Sequence, residues 1–214
     1  NVLIGDEAAT NITTARENVV IGKGAYANAN TSENFAVVVG YNAANNVDGI
    51  DNVTAIGHSA LMTMQATDGN TALGFEAGKL TVGNSNTLIG HQAGKGAAGT
   101  DENNTAVGHQ ALMSVAAGDQ NTAIGGVALK DLNSGEDNVA IGFGAGENLT
   151  TNTKSVLIGR NAGANLAAGI DGCVAIGFSA LDAAVDTGHY TIAIGQHALG
   201  ALTSGDRNIG IGYS

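Results

Sequence analysis

Proline and tryptophan are absent from this 214-residue sequence, cysteine occurs once, and only four phenylalanines and four tyrosines are present. The shortage of large rings excludes an aromatic core. The single cysteine, Cys173, excludes an internal disulfide framework and a cysteine-rich metal site. Charged residues make up 13% of the chain, about half the usual share. An apolar content of 43% nevertheless predicts a folded chain rather than a disordered linker.

The few charges are mostly acidic, with eight Lys and Arg against 19 Asp and Glu and a formal net charge of −11. This balance disfavours nucleic acid and anionic membrane surfaces as partners. The acids are scattered along the sequence, which favours a role in solubility. Neither an apolar run of about 18 residues nor the pattern of a signal peptide is present. Because the sequence begins at Asn1 and ends at Ser214 inside repeats, we expect a segment of a longer protein.

Glycine is abundant, with 33 residues, and 13 of them close a short β-type run in a repeat that covers residues 1–214. We call these the corner glycines: Gly5, Gly22, Gly40, Gly57, Gly74, Gly90, Gly108, Gly125, Gly142, Gly159, Gly177, Gly195 and Gly212. Successive corner glycines lie 16 to 18 residues apart. This self-similarity predicts a single continuous repeat domain without a linker or a second domain.

The run before each corner glycine predicts a β-strand of about five residues. The residue one before the glycine is Ile, Val or Leu in every repeat, and the residue three before it is Val, Thr or Ile. Both positions share one strand face, since side chains alternate with period two, and β-branched residues suit a buried pleated surface. We therefore predict that both columns, represented by Thr122 and Ile124, point into the core.

Two further columns indicate close stacking of the repeats. Four residues before the corner glycine, eight of the 13 repeats have Asn, whose side chains can hydrogen-bond to one another along a column. Three residues after it, every repeat that extends so far has Ala. A unit of about 17 residues cannot bury its own apolar face. The sequence therefore predicts an all-β parallel solenoid of 13 coils, with equivalent strands paired from coil to coil.

The column two residues before the corner glycine is apolar in all 13 repeats and small in eight, as at Ala123. It alternates with the two predicted core columns, so in a lone solenoid it should face water and be polar. Its apolar character predicts a partner against the outer face, most simply an identical chain in a cyclic homo-oligomer. The alternative is that the second segment of the same coil folds across this face.

The repeats "NTALGFEAG" (70–78), "NTLIGHQAG" (86–94), "NTAIGGVAL" (121–129) and "NVAIGFGAG" (138–146) resemble those of bacteriophage tail fibres and related bacterial surface proteins. They are also similar to the "SVAIG" repeats in the heads of YadA-like trimeric autotransporter adhesins. The resemblance covers all 13 repeats. It implies a homotrimer of left-handed parallel β-coils of the β-roll or β-helix type. It also implies an extracellular location on a virion or a cell surface, and a role in fibre building, host attachment or adhesion. We identify no stalk, anchor or chaperone domain in this sequence, so the resemblance leaves both a viral and a bacterial origin open.

Two alternatives come from other solenoids. "IGHSAL" (56–61) fits the hexapeptide pattern of left-handed β-helix acyltransferases, but those enzymes use it three times per turn, and here it occurs once. Ice binding would use a Thr column such as Thr54, Thr71, Thr87, Thr105 and Thr122. Only one such column is present where two are expected, and Val takes the same position in other repeats.

The position after the corner glycine collects aromatic side chains: Tyr41, His58, Phe75, His91, His109, Phe143, Phe178 and Tyr213. Rings stacked along a rod could contact a host glycan or receptor. Three copies of one His in a trimer could bind a metal or an anion. A packing ladder is the simpler interpretation, because aromatic side chains pair well on neighbouring strands.

No acid pair, nucleophile with a base, or phosphate-binding loop stands out from the repeat, so we predict neither an enzyme nor a cofactor. We interpret Asp6, Glu7, Glu17, Glu33 and Glu76 as solvated turn or edge residues. Cys173 is interpreted as a tolerated small residue rather than a reactive thiol. Recognition is expected where the repeats differ, as in the turn 131–137.

Overall fold

The computed structural model describes residues 1–29, 34–48, 51–65, 68–81, 83–96, 101–183 and 188–213, and it shows a parallel β-solenoid without a helix in these ranges. The strands are β1 (Val2–Ile4), β2 (Val19–Ile21), β3 (Val37–Val39), β4 (Asn46–Asp48), β5 (Thr54–Ile56), β6 (Thr63–Gln65), β7 (Thr71–Leu73), β8 (Thr87–Ile89), β9 (Thr105–Val107), β10 (Thr122–Ile124), β11 (Val139–Ile141), β12 (Val156–Ile158), β13 (Val174–Ile176), β14 (Ile192–Ile194) and β15 (Ile209–Ile211).

Thirteen of these strands form one long parallel sheet, in which each strand pairs with the equivalent strand of the next repeat. The register is constant: Thr122 of β10 pairs with Val139 of β11, and Ile124 pairs with Ile141. Strands β4 and β6 form a separate two-stranded parallel sheet. The predicted pairing of equivalent strands is confirmed. Each strand of the long sheet spans three residues, however, rather than about five.

The chain turns at each corner glycine in a backbone conformation that only glycine adopts readily. Gly108 has a φ of +137°, and an added Cβ would lie 2.5 Å from the main-chain oxygen of Gly125 in the next coil. A side chain there would both strain the backbone and collide with the neighbouring main chain. The short distance between neighbouring coils therefore explains why glycine recurs along this column.

After the corner, the coil returns through a series of turns, and within the described residues only the two coils with β4 and β6 form a second strand. Val127 and Leu129 take positive φ angles of 53° and 47°. As a result, successive N–H groups point in opposite directions along the solenoid. The N–H of Val127 donates to His109 O at 2.8 Å in one neighbouring coil, and that of Leu129 donates to Ala145 O at 3.0 Å in the other. The second segment thus keeps the coils in contact where the strands have ended.

The strand side chains point in the opposite direction to the prediction. Ala123, the middle residue of β10, is fully buried, while Ile124 is 38% exposed and Thr122 is half-buried. The same pattern of a buried middle residue and two partly exposed neighbours holds for the long-sheet strands from β2 to β14. The prediction that the Thr122 and Ile124 columns form the core is therefore wrong. The alternative is confirmed, because the second segment of each coil covers the Ala123 column.

The middle residue of each strand and the residue four after the corner glycine share one part of the lumen, and in most coils only one of the two is large. The coil with Ala123 on its strand has Leu129 on its second segment, whereas the coil with Leu157 on its strand has Gly163 there. A Cβ added to Gly163 would lie 2.6 Å from Leu157 Cδ2. Gly146 belongs to a coil without a large residue at either position, and the space beside it is filled by Leu129 and Leu157 of the adjacent coils and by Leu149 of its own coil. Small strand residues are thus a packing requirement.

A column of buried asparagines links coils at the start of six strands: Asn18, Asn70, Asn86, Asn104, Asn121 and Asn138. The N–H of Asn121 donates to Asn104 Oδ1 at 2.9 Å, and that of Asn138 donates to Asn121 Oδ1 at 3.0 Å. Each amide also donates into the next coil, as Asn121 Nδ2 does to Gly135 O at 2.8 Å. The predicted Asn ladder is confirmed, and it satisfies main-chain groups that would otherwise be buried without partners.

Gly108→Ala tests the constraint at the corner. We expect the free energy of unfolding, measured by urea titration, to fall by about 3 kcal/mol or more, because the new Cβ meets the next coil at an unfavourable φ. Gly126→Ala is the matched control, since Gly126 has no positive φ and its added Cβ would meet only the side chain of Phe143. The control should change stability by under about 0.5 kcal/mol. Equal losses in the two variants would contradict the constraint.

Candidate functional site

Two columns of side chains point outward from the long sheet and form one continuous surface, which we call the aliphatic face. Between β2 and β14 the first column comprises Val19, Val37, Thr54, Thr71, Thr87, Thr105, Thr122, Val139, Val156, Val174 and Ile192, and the second comprises Ile21, Val39, Ile56, Leu73, Ile89, Val107, Ile124, Ile141, Ile158, Ile176 and Ile194. None of these positions carries a charge.

Large side chains on the aliphatic face are open to solvent in the single chain. Leu73 is 45% exposed, and Ile124 and Ile141 are each 38% exposed. Because the two columns continue along the whole sheet, their apolar surface extends well beyond the few hundred Å² of the largest patch on an ordinary monomer. A surface of this kind is typical of a contact with another macromolecule.

The Thr column lies on the aliphatic face rather than in the lumen. Thr54, Thr71, Thr87, Thr105 and Thr122 follow one another on five strands of the sheet and pair in register. The face therefore carries one column of hydroxyl-bearing side chains beside one column of purely aliphatic ones. Ice binding and an acyltransferase-like activity stay alternatives that this geometry does not test.

Five of the predicted ring residues stack on one another where the corner glycines border the aliphatic face. We call them the ring ladder: Tyr41, His58, Phe75, His91 and His109. Their successive ring centroids are 5.1, 5.1, 5.2 and 5.2 Å apart. The rings of Phe75 and His91 are nearly parallel, at 11°. These separations follow from the spacing of neighbouring strands, about 4.8 Å, which is close to the distance between stacked rings.

These rings stack face to face, so their faces cover one another and their edges point towards solvent. Tyr41 is 49% exposed and Phe75 is 43% exposed. Aromatic edges carry a positive electrostatic potential, and histidine adds a ring N–H donor. The ring ladder therefore presents a strip of weak donors to oxygen-bearing groups, rather than the flat ring face on which a sugar stacks.

The structure does not bring all eight predicted ring residues together. Gly126 occupies the same column after the fifth ring and interrupts the stack. Beyond it, Phe143 packs against the guanidinium of Arg160, whose Cζ lies 5.6 Å from the ring centroid. Phe178 makes an edge-on contact with His197 at 5.2 Å. The column therefore divides into a five-membered ladder and separate local contacts.

Glu76, which follows ring-ladder residue Phe75, forms a polar clamp that the sequence interpretation missed. Its Oε1 accepts from Lys79 Nζ at 2.7 Å, and its Oε2 accepts from Gln92 Nε2 and pairs with Lys95 Nζ, both at 2.9 Å. Because the Glu76 side chain is 13% exposed, the interpretation of it as a solvated residue is wrong.

The clamp joins two neighbouring coils and keeps the carboxyl charged. The hydrogen bonds from Lys79, Gln92 and Lys95 lower the pKa of Glu76 to about 2. Part of this arrangement was visible in the sequence, because Lys79 and Lys95 lie at the same position of consecutive repeats. The convergence of both ammonium groups on one carboxylate depends on the stacking of the coils, which the sequence does not display directly.

Many of the acids occupy one column, six residues before the corner glycine, and are not scattered as predicted. Asp51, Asp68, Asp119, Asp171 and Asp206 each use Oδ1 to accept a main-chain N–H from the preceding coil, at 2.6 to 3.1 Å. Side-chain oxygens of this kind replace main-chain acceptors at turns. These acids therefore continue the bonding between coils where strand pairing has not yet begun.

The other acids that we predicted at turns or edges lie on the surface wherever the structure describes them. Asp6, Glu7 and Glu17 are exposed, as predicted, and Asp6 pairs with Lys23 at 2.9 Å on the surface. An exposed pair of this kind contributes little to stability. Glu33 lies outside the described residues.

Cys173 takes the place of an Asn in the buried ladder. It is buried, and its Sγ donates to Gly188 O at 3.1 Å. Burial raises the pKa of the Cys173 thiol, which keeps it protonated and supports its interpretation as a packing residue. Within the described ranges, no three His, Cys, Asp or Glu side chains converge in a way that could hold a metal ion.

No protein family, curated protein or solved structure matches this chain. In the part of the chain that the structure describes, no helix has the length and apolar character needed to cross a membrane. The resemblance to tail-fibre and adhesin-head repeats therefore stays a prediction.

Glu76→Gln tests the clamp, because it removes the charge and preserves the shape of the side chain. We expect the free energy of unfolding at pH 7 to fall by about 1 kcal/mol. The pKa of Glu76 is lowered from 4.5 to about 2 in the folded chain, so its stabilising contribution is complete above pH 4.5 and is lost as the pH falls towards 2.

Urea titrations of wild type and variant at pH 7 and pH 2.5 should therefore show a difference that shrinks at the lower pH. Glu7→Gln is the matched control, because Glu7 occupies the same repeat position and is exposed. It should leave stability unchanged at both pH values. A difference between Glu76→Gln and wild type that stays constant with pH would contradict the role of the clamp.

Proposed function

We propose that this chain is a structural fibre segment whose copies assemble through the aliphatic face. The observation that carries the proposal is the distribution of charge. The chain has eight basic and 19 acidic residues, and none of them lies in the two outward columns of the long sheet. A surface kept free of charge along so many strands is suited to burial against another surface.

A second copy of the same chain is the partner that this face fits best. In a symmetric arrangement about an axis along the solenoid, equivalent coils of the copies meet at the same level, so uncharged side chains face uncharged side chains in every coil. Each repeat adds a similar small contact, and the contacts sum along the rod. The resemblance to adhesin-head and tail-fibre repeats favours a homotrimer of left-handed coils.

The proposed location is extracellular, on a virion or a bacterial surface, where such a fibre would mediate attachment to a host or surface. The ring ladder lies at a corner that borders the aliphatic face, and its ring edges are open to solvent in the single chain. It is the proposed contact for a host glycan or receptor. The proposed role is structural and adhesive, and not enzymatic.

Ile124→Asp and Ala123→Asp distinguish the two faces of one strand. We expect Ile124→Asp to keep the β-rich circular dichroism spectrum but to give monomers, because assembly would have to desolvate its carboxylate. Ala123→Asp places the charge in the lumen and should cost several kcal/mol of folding free energy. Light scattering and circular dichroism together report both effects. Ile124→Val should leave assembly intact, and a wild-type chain that is a stable, soluble monomer would exclude the proposal.

Tyr41→Ala combined with His58→Ala removes two adjoining rings from one end of the ladder. We expect binding to a glycan array to weaken about tenfold, equivalent to about 1.4 kcal/mol, because two donor edges are lost. Phe178→Ala is the control, since Phe178 lies outside the ladder. The mass of the assembly should stay unchanged in both variants. Binding that is insensitive to the double substitution would remove the ladder from the attachment site.

A further inference from the structure

One carboxyl group in the wall of the solenoid is buried without a partner. Asp101 is 1% exposed, and within the described residues neither of its carboxyl oxygens has a hydrogen-bond partner. Gly83 and Gly118 occupy the same position in the two neighbouring repeats and offer no side chain. A buried carboxylate without hydrogen bonds is costly, so the group has either to be protonated or to reach water.

A second polar residue of the chain is buried at this position and shows how a donating side chain is satisfied there. Asp101 lies seven residues before Gly108, and Asn152 lies seven residues before Gly159. Asn152 is also fully buried, and its Nδ2 donates to Ala167 O at 2.7 Å and to Ile170 O at 2.9 Å in the next coil. The turn at Asn152 therefore offers main-chain acceptors to a side chain that can donate, whereas Ile170 fills the same position of the next repeat with a buried apolar side chain. An ionised Asp cannot donate, whereas a protonated Asp can.

The charges around Asp101 add to the cost of ionisation. Burial, followed by the negative charges of Asp119 and Glu102, raises the pKa of Asp101 to about 7. The main-chain N–H of Asp101 itself favours ionisation, but too weakly to offset burial and without the geometry of a hydrogen bond. Each of these influences, apart from that N–H, favours the neutral acid.

We propose that Asp101 is a proton-operated latch at the turn that precedes β9. With its carboxyl protonated, Asp101 donates a hydrogen bond that closes this turn, as Asn152 does in its own repeat. Loss of the proton removes that bond and loosens the turn. The main-chain oxygen of Asp101 accepts a hydrogen bond from Asn86 Nδ2, a member of the Asn ladder, at 2.8 Å. Movement of this turn therefore disturbs the ladder. The latch is set within one coil and needs no partner chain. It therefore goes beyond the proposed assembly and does not depend on it.

The test is main-chain hydrogen exchange between pH 5 and pH 8, corrected for the intrinsic rate at each pH. The reporters are the amides of Asn103, which donates to Asn84 O at 3.0 Å, and Asn104, which donates to Asn86 Oδ1 at 2.9 Å. In the wild type the opening equilibrium should rise with pH by up to about tenfold per unit and level off above pH 7. In Asp101→Asn this rise should be absent.

Asn152→Asp supplies the reciprocal variant. It should create the same pH dependence at the amides of Lys154 and Ser155, which take the corresponding positions of their repeat. Asp171→Asn is the control for loss of one negative charge, because it retains an oxygen to accept the Thr153 N–H. It should leave the Asn103 and Asn104 amides unchanged. A rise that persists in Asp101→Asn, or one that fails to appear in Asn152→Asp, would overturn the latch.

Discussion

Main-chain hydrogen bonding between neighbouring coils is the interaction on which this structure depends. It holds equivalent residues about 4.8 Å apart along the rod, and every other feature has to fit that spacing. At the corner, the spacing leaves no room for a Cβ on Gly108 against Gly125. In the lumen, it leaves no room for a Cβ on Gly146 between Leu129 and Leu157 of the adjacent coils. On the outside, it brings aromatic rings such as Phe75 and His91 into stacking contact at 5.2 Å.

The same spacing explains how the polar groups are used. Strand pairing satisfies only three residues per coil, so the remaining main-chain groups need other partners. Asn121 and Asn138 serve the start of the strands from inside, and the aspartates at the turns serve the preceding residues from outside. A chain of low charge content thus places a large part of its acids and amides in structural hydrogen bonds.

Features that repeat could be predicted from the sequence, because each one is imposed by a backbone condition common to all coils. The corner glycines, the parallel pairing, the buried alanine at Ala128 and the Asn ladder belong to this group. The prediction of which strand side chains point inward was wrong, because β-branched residues suit either face of a strand. The width of the lumen decides which face of the strand is buried, and the residue pattern of the strand does not reveal that width.

Features that occur once were missed because they depend on which residues stacking brings together. Lys79 and Lys95 are distant in sequence, and they meet Glu76 only when two coils are superposed. Asp101 is one of several acids near a turn, and only the corner around it makes it unusual. Within the candidate site, the ring residues were found from their common position, but the break at Gly126 limits the ladder to five of them.

The exchange of large side chains across the lumen also bears on how such a chain can change its length. The repeat with Ala140 and Gly146 has no large residue at these two positions, and Leu129 and Leu157 of the adjacent coils fill the space together with its own Leu149. Two copies of this repeat in succession would each lose contact with one of the two neighbouring leucines. Gene duplication or deletion is therefore least disruptive when it moves blocks that keep such neighbouring coils together. The inherited unit is longer than the structural one.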